Sequence, residues 1–180
     1  MHTHELPASD YMKVIAPPPV VLISTLYGEV KNVAPYGMVM PVSSDPPLMA
    51  FGIRRERDTY RNIQEIGEFV VAYPTPELVK AVETTARSLP RDQSEFDAAG
   101  LTPAPSRVVR PFMVAECPVN IECQLEWERQ AGDHHIVVGR VVAVTVSDEI
   151  YAAGPSRASL RPIYHLSAPD HPYAEIGRPI

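Results

Sequence analysis

Two long β-branched runs in the C-terminal half constrain the fold of this chain most. The runs are "MVAECPVNIECQLEWERQA" and "HIVVGRVVAVTVSDEIY", and the tetrapeptide "GDHH" lies where they meet. Gly and Asp at so short a connection predict a β-hairpin. Both faces of the second run are largely apolar, which indicates a central strand of a barrel or sandwich. Gly139 inside that run predicts a bulge or a close approach of another group to the backbone.

Four shorter apolar runs, separated by prolines, supply the remaining predicted strands. They are "VVLISTLYGEV", "NVAPYGMVMP", "PLMAFGI" and "FVVAY". With the two long runs they make about six strands, with short helices at the edges. The strands and helices do not alternate as βαβ along the whole chain, so a Rossmann-type fold is disfavoured. The expected fold is therefore mainly β, a barrel with α insertions.

Three short helices are predicted between these strands. The first takes Asp58 as its N-cap and stops at Gly67. The second is the clearest, because Thr75 is a cap, Pro76 suits the first position and Pro90 ends it. Its inward stripe consists of Leu78, Val82, Ala86 and Leu89. The stretch "SEFDAAGL" predicts the third.

Length, charge and cysteine content limit which class of protein this chain can belong to. A length of 180 residues suits a single domain, 1–180. A net charge of −6 without a dense basic run argues against binding nucleic acid. We find no apolar segment of membrane-span length and no signal-peptide pattern, so we expect a cytoplasmic protein. Cys117 and Cys123 have neither a zinc spacing nor a disulfide reach, and they are expected to be reduced, half-buried residues of one strand.

Ser43 and Ser44 stand at the end of an apolar run, ten residues before the arginine-rich "RRERDTYRN". Hydroxyls, guanidinium groups and the free N–H groups of a helix start together suit a phosphate. The alternative is that the serines only form a turn and the arginines are a solvated face. Adjacent His134 and His135 would point to opposite sides of a strand, so no metal site is expected.

Four segments in this order resemble the flavin-reductase-like, FMN-binding split-barrel family, in its flavoredoxin-like branch. They are "NVAPYGMVMPVSSDPPLMAFGI", "RDTYRNIQEIGEFVV", "GLT" and "GDHHIVVGRVVAV". The resemblance covers about 14–151, with a weaker echo in "RPIYHL" and "YAEIG" within a C-terminal extension, 152–180. It implies a six-stranded Greek-key split barrel, a homodimer and FMN bound near the dimer interface. It also implies NAD(P)H-dependent flavin reduction or a related electron transfer.

The resemblance also implies a set of site residues. Asn32, Ala34, Pro35 and Tyr36 match the strand along the flavin ring, and His134 matches a histidine on the flavin or nicotinamide side. Ser43 and Ser44 match a hydroxyl pair near the ribityl chain and phosphate. The whole cofactor-binding set is Asn32, Ala34, Pro35, Tyr36, Gly37, Val42, Ser43, Ser44, Arg57, Thr59 and Asn62. Gly37 and Met38 replace a hydroxyl and an aromatic residue common in the family, so backbone N–H groups would hold the ring edge there.

Two functions from different classes follow. One is an NAD(P)H:flavin oxidoreductase that transfers hydride to FMN and passes electrons to a flavin or another acceptor. The other is an FMN-binding electron carrier reduced by a partner protein; a flavin-free binding barrel is a third reading. Arg54 and Arg55 compete with Arg57 for the phosphate, and His135 is expected to face solvent or the partner subunit. Exposed apolar strands with Trp127 favour a homodimer, unless Trp127 packs under the loop 102–111.

Overall fold

Seven antiparallel strands form the main sheet of the computed structural model, which describes residues 3–154, 160–166, 170 and 172–175. The seven are β1 (Val21–Tyr27), β2 (Val30–Tyr36), β3 (Val39–Ser44), β4 (Pro47–Ile53), β5 (Glu68–Tyr73), β8 (Val119–Ala131) and β9 (His134–Val146). Their order in the sheet is β2-β1-β5-β8-β9-β4-β3. Two small sheets pair β6 (Pro103–Ala104) with β7 (Met113–Val114) and β10 (Ile163–His165) with β11 (Tyr173–Glu175). The mainly β fold with α insertions is confirmed.

The main sheet has one strand more than expected, because the run from Asn32 to Pro41 forms parts of two strands. β2 ends at Tyr36, and β3 begins at Val39. Between them, a side chain on Gly37 would lie 3.3 Å from Cγ of Pro18, so the chain passes close to the N-terminal segment. The carbonyl of Met38 then accepts a hydrogen bond from the Gly52 N–H at 2.8 Å, which directs the chain into its pairing with β4.

The core has two parts, one on each face of β1. Val21 and Ile23 point into the first part, and Leu22 points into the second. Phe69 lies at the centre of the first part, where it packs against Gly139 of β9. A methyl group on Gly139 would lie 2.8 Å from Cε1 of the Phe69 ring, which confirms the predicted close approach.

The helices differ from prediction mainly at their ends. Helix α1 (Asp58–Ile66) has Arg57, not Asp58, at its N-cap, and it ends at Gly67 with φ of 69° as predicted. The predicted helix up to Pro90 is shorter, a 3₁₀ turn (Pro76–Leu78) followed by α2 (Val79–Thr85).

Two threonines explain the early end of α2. The hydroxyls of Thr84 and Thr85 hydrogen-bond to the carbonyls of Lys80 and Val82, and such bonds compete with helix extension. Ala86 is consequently exposed rather than inward-facing. The third predicted helix, α3 (Glu95–Ala99), is present; it is capped by Ser94 and ends at Gly100. A fourth, α4 (Asp148–Ala152), follows β9.

The prediction that Cys117 and Cys123 share one strand and are half-buried was wrong. Both thiols are free and fully buried, and they belong to different parts of the core. Cys117 precedes β8, because it closes a turn, in which its N–H donates to the Val114 carbonyl at 3.1 Å, before the strand begins at Val119. Burial raises the pKa of the Cys123 thiol to about 12, so it is not a reactive thiolate.

The loop 102–111 is held to the sheet by buried carboxylates rather than by Trp127. Glu122 is fully buried, and its side chain accepts hydrogen bonds from the N–H groups of Arg107, Val108 and Val109 at 2.7–3.1 Å. Trp127 keeps 45% of its surface exposed on the outer face of the sheet. The alternative in which Trp127 packs under this loop is therefore excluded.

Candidate functional site

One cleft of about 410 Å³ lies between β2, the start of α1, the end of α2 and the hairpin that joins β8 to β9. It brings together eight residues that the sequence predicted for a site. They are Asn32, Ala34, Pro35, Tyr36, Gly37, Arg57, Thr59 and His134. They belong to three segments that are far apart in the sequence, and the convergence of these segments makes this cleft the candidate site.

Three arginines line the cleft, and they differ in what they contact. Arg54 forms an ion pair with Asp133 at 3.3 Å. Arg57 and Arg87 make no ion pair with any residue that the structure describes. Arg55 instead lines a separate surface groove beside Tyr60. Arg57 and Arg87 are therefore the guanidinium groups free to bind an anion in this cleft.

The start of α1 adds backbone donors beside Arg57. The first intrahelical bonds run from Tyr60 and Arg61 to the Arg57 carbonyl, so the N–H groups of Asp58 and Thr59 have no helical partner. A helix of nine residues begins here, and its N-terminus carries partial positive charge. The arrangement suits a phosphate group, which is the interpretation that the sequence had left open.

A buried polar network lies beneath the cleft and is centred on Asn32. The side-chain oxygen of Asn32 accepts hydrogen bonds from the hydroxyls of Thr25 at 2.9 Å and Thr59 at 3.1 Å. Its amide nitrogen donates to Glu95 at 2.8 Å. An amide nitrogen carries two hydrogens, so one N–H of Asn32 remains for a ligand. Thr59 uses its own hydrogen inside the network, which makes it a support for Asn32 rather than a free donor.

Asn62 does not line the cleft. It is buried behind Thr25, to whose hydroxyl it donates a hydrogen bond at 3.1 Å, and it accepts one from Arg91 at 3.2 Å. Arg91 also stacks on the ring of Tyr27, with its Cζ 3.7 Å from the ring centre. Asn62 thus links the network to the segment that follows α2, and its relation to the site is indirect.

Glu95, like Arg87, is a residue of the site that the sequence did not reveal. It is buried, its carboxylate faces Asn32, and burial raises its pKa. Ser94 holds α3 against β2 by donating a hydrogen bond to the Lys31 carbonyl at 2.9 Å. In the sequence Glu95 looks like an ordinary acidic residue in the first turn of a helix. Only the packing of α3 on β2 shows that its carboxyl enters the cleft.

Tyr36 supplies an aromatic wall with a neutral hydroxyl. Its ring packs edge-on against Phe51, with ring centres 5.4 Å apart. Burial raises the pKa of Tyr36 to about 12, although the Thr59 hydroxyl and the charge of Arg57 act in the opposite direction. The hydroxyl is therefore protonated at neutral pH and can donate a hydrogen bond, but it is not a base.

Val42, Ser43 and Ser44 lie away from the cleft within one chain. Ser43 pairs with Leu48 at the tip of the β3–β4 hairpin. Leu48 is four residues from Gly52, the nearer of the two β4 residues that line the cleft, a separation of about 13 Å along a strand. The serine pair is partly to fully exposed on the same sheet end as Val42. The structure therefore does not bring this part of the predicted set to the phosphate position.

The two histidines point to opposite sides, as predicted, but the surroundings of His135 differ from the prediction. His134 lines the cleft, and its Nδ1 lies 2.8 Å from Asp133, which leaves Nε2 available. His135 was expected to face solvent or a partner. It packs instead on the Tyr60 ring, with its Nδ1 2.5 Å from the Glu128 carboxylate. The side chain of His135 is mostly buried, because the barrel end closes around it.

Two further observations concern the part of the chain that the structure describes. No three His, Cys, Asp or Glu side chains there come together in a way that would hold a metal ion. No helix there has the length and apolar character that crossing a membrane requires.

Comparison with known proteins identifies the family. The family model described as "Flavin reductase like domain" matches residues 14–164. Since that span is most of the 180 residues, the chain belongs to this family. The match continues past residue 151 into β10, which the sequence had assigned to a C-terminal extension. Membership supports a flavin oxidoreductase.

Solved structures of similar fold agree with this assignment. Nitrilotriacetate monooxygenase component B from Bacillus cereus is 33% identical, with a TM-score of 0.86 over 100% of this chain and 96% of that one. Flavoredoxin from Methanosarcina acetivorans is 20% identical, with a TM-score of 0.85 over 100% and 94%. A flavin reductase with a split barrel domain from Shewanella frigidimarina is 21% identical, with a TM-score of 0.83 over 100% and 97%. The last two show the fold alone, which is a split barrel.

Proposed function

We propose that this protein binds FMN in the cleft and reduces it with NADH or NADPH. The observation that carries the proposal is the pair of unpaired arginines, Arg57 and Arg87, beside the free N–H groups of α1. That end of the cleft would hold one phosphate. Asn32 and Tyr36 line the cleft on its β2 side and would contact the ring system. The residues present therefore fit a flavin mononucleotide.

A bound flavin supplies the chemistry of hydride transfer, and the protein supplies binding and orientation. Arg57 would neutralise the phosphate, while the Asn32 amide, fixed by Glu95, would donate to a polar edge of the ring. His134 would position the nicotinamide through its free Nε2. The Tyr36 hydroxyl stays protonated, so it would act as a hydrogen-bond donor and not as a general base.

One experiment separates the reductase from an electron carrier. The FMN-loaded protein is mixed with NADPH, and separately with NADH, under argon while the flavin absorbance is followed. Rapid bleaching with either nucleotide supports the reductase. Bound FMN that neither nucleotide bleaches would make the protein a carrier reduced by a partner protein. Chromatography of the chromophore released on denaturation tests the cofactor, and FAD as the main species would contradict the proposal.

We also propose a homodimer that forms through the outer face of the sheet. Met40, Ala50, Val138 and Trp127 pair in sequence across β3, β4, β9 and β8, so they form one apolar row. Ala50 and Val138 are buried, while the two large side chains at the ends of the row are about half exposed. Two large apolar side chains exposed on either side of a buried pair suit contact with a second copy of the chain. The cytoplasm remains the proposed compartment, which the two free thiols support.

A further inference from the structure

A second cavity, of about 520 Å³, lies beside the cofactor cleft. Its walls are the N-terminal segment, the end of β2 and the small sheet of β10 and β11. Most of its lining is apolar. It includes four large apolar side chains that are not buried by the protein: Met12, Ile15, Met38 and Leu166. A cavity of this size and character is typical of a small-molecule site.

The second cavity offers no free charge to a ligand. Among the described residues that line it there is no Asp or Glu, and Lys13 is its only Lys or Arg. Lys13 is already paired with Asp10 at 2.9 Å. The cofactor cleft, by contrast, contains two arginines without ion pairs. The phosphates of a nucleotide would therefore favour the cofactor cleft, and the second cavity would favour an uncharged ligand.

The two cavities share one wall. Pro35, Tyr36, Gly37 and Met38 line both of them. This wall is thin at Gly37, which has no side chain and packs directly on Pro18. A molecule in the second cavity would therefore be separated from a cofactor in the cleft only by the stretch 35–38 and by Ala86, which also lines both cavities. That juxtaposition suits an electron acceptor beside a redox group.

We propose that the second cavity binds a flat, uncharged, largely apolar electron acceptor of the quinone class. The oxygens of a quinone accept hydrogen bonds, and its ring system buries apolar surface, which matches a lining without carboxylates. The proposal rests on the proposed function for its source of electrons. The overall reaction is NADPH + H⁺ + quinone → NADP⁺ + hydroquinone, in which the quinone gains two electrons and two protons.

Binding of menadione to the full chain tests the site without relying on catalysis. Saturation-transfer NMR measures the affinity of menadione for the FMN-loaded protein and for the FMN-free protein. Ile15→Glu places a carboxylate in the cavity wall, and Val14→Glu places one on the neighbouring residue, which does not line the cavity. We expect Ile15→Glu to weaken menadione binding by roughly tenfold or more, because contact with an apolar ligand would remove the new carboxylate from water without giving it a partner. Val14→Glu should bind as the wild type does, and both variants should keep their FMN affinity.

Two results would overturn the proposal. Equal menadione affinity in Ile15→Glu and in the wild type would show that the ligand binds elsewhere. Displacement of menadione by NADPH in the FMN-free protein would assign the cavity to the nucleotide. If the protein binds no FMN but menadione binding still follows the two variants as expected, the binding site is supported and the proposed function has failed.

Discussion

Arg54, Arg55 and Arg57 carry the same charge within four positions, but they have three different surroundings. Arg54 is paired with Asp133, Arg55 lies on a separate groove, and Arg57 faces the cleft without a partner. Arg57→Ala should weaken FMN binding by about 1.5–3 kcal/mol, the range for a hydrogen bond to a charged group. Arg55→Ala is the matched control and should bind FMN normally. Fluorescence titration with FMN measures both, and equal affinities in the two variants would contradict the assignment of Arg57.

The buried carboxyl of Glu95 should make the protein less stable as the pH rises. Burial raises the pKa of Glu95 above its ordinary value of 4.5. Folding therefore takes up a proton between the unfolded and folded pKa values, and the free energy of unfolding falls as pH rises through that window. Glu95→Gln keeps an oxygen that accepts from Asn32 but does not titrate. Relative to this variant, the wild type should lose stability as pH rises from 4.5 upward in urea unfolding without cofactor. A constant difference between the two proteins across that range would show that Glu95 is not perturbed.

Substituting the adjacent residues His134 and His135 one at a time distinguishes a role in the reaction from a role in stability. His134→Ala should slow reduction of bound FMN by NAD(P)H by roughly 3–10-fold through loss of orientation, with little change in thermal stability. His135→Ala should do the reverse, because it removes the ring that packs between Tyr60 and Glu128. Stopped-flow reduction and thermal unfolding measure the two effects. A wild-type reduction rate in His134→Ala would remove this histidine from the reaction.

Many residues of the site could be predicted from the sequence, but the contacts between them could not. Eight of the predicted residues line one cleft, but Asn32, Ala34, Pro35, Tyr36, Gly37 and His134 were implied by the family resemblance, and only the arginine-rich start of α1 followed from the residue pattern. The network of Thr25, Asn32 and Glu95 joins three segments that no local pattern connects. The placement of Ser43 depends on the strand break at Gly37, which is a tertiary contact with Pro18. Hydrophobic periodicity and motif spacing do not predict such contacts.

At the scale of elements, the pairing of β9 with its neighbours depends on one residue without a side chain. Gly139→Ala would place a methyl group 2.8 Å from Cε1 of Phe69 and 3.0 Å from Cβ of Cys123. Both neighbours are fully buried and have no room to move. We expect a loss of about 1–3 kcal/mol in the free energy of unfolding, as overpacking produces.

Gly52→Ala on the adjacent strand β4 is the control for Gly139→Ala. Its methyl group would meet Met38, at 2.5 Å from Cε, but that side chain is flexible and about half exposed. Met38 can rotate away, so this variant should lose less than about 1 kcal/mol. Urea denaturation of the FMN-free proteins compares them. A larger loss in Gly52→Ala would show that the Phe69 contact does not dominate.

The elements themselves were largely predictable from the sequence, and the departures have local causes. The hairpin of β8 and β9, the helix α1 and the capped helix α3 follow from alternation, glycine stops and a serine cap. Helix α2 ends before Pro90 because Thr84 and Thr85 bond back to earlier carbonyls. A proline disfavours the helical conformation in the residue before it, so Pro90 limits how far α2 can extend. It does not require the helix to reach that limit.

At the scale of the whole molecule, the apolar row proposed as the dimer interface lies close to the candidate site. The apolar row from Met40 to Trp127 lies on the strands β3, β4, β9 and β8, and β4 continues into the cofactor cleft at Gly52. The tip of the β3–β4 hairpin, with its serine pair, projects from the same region. A partner on this face would therefore lie next to both. A dimer formed through this face would bring Ser43 and Ser44 towards the cleft of the partner subunit, which they do not reach in their own chain.

Trp127→Glu tests this interface. Trp127 is half exposed in the single chain, so the substitution should leave the fold of the chain intact. In a dimer it would place a charge in an apolar contact, and a tryptophan at the centre of an interface is worth about 2 kcal/mol or more. Light scattering should give twice the chain mass for the wild type and a lower mass for the variant at micromolar concentration. Val108→Glu, at a similarly exposed position in the loop 102–111, should remain a dimer. If the wild type is a monomer at every concentration, the row of apolar residues does not bind a second copy, and the site must be complete within one chain.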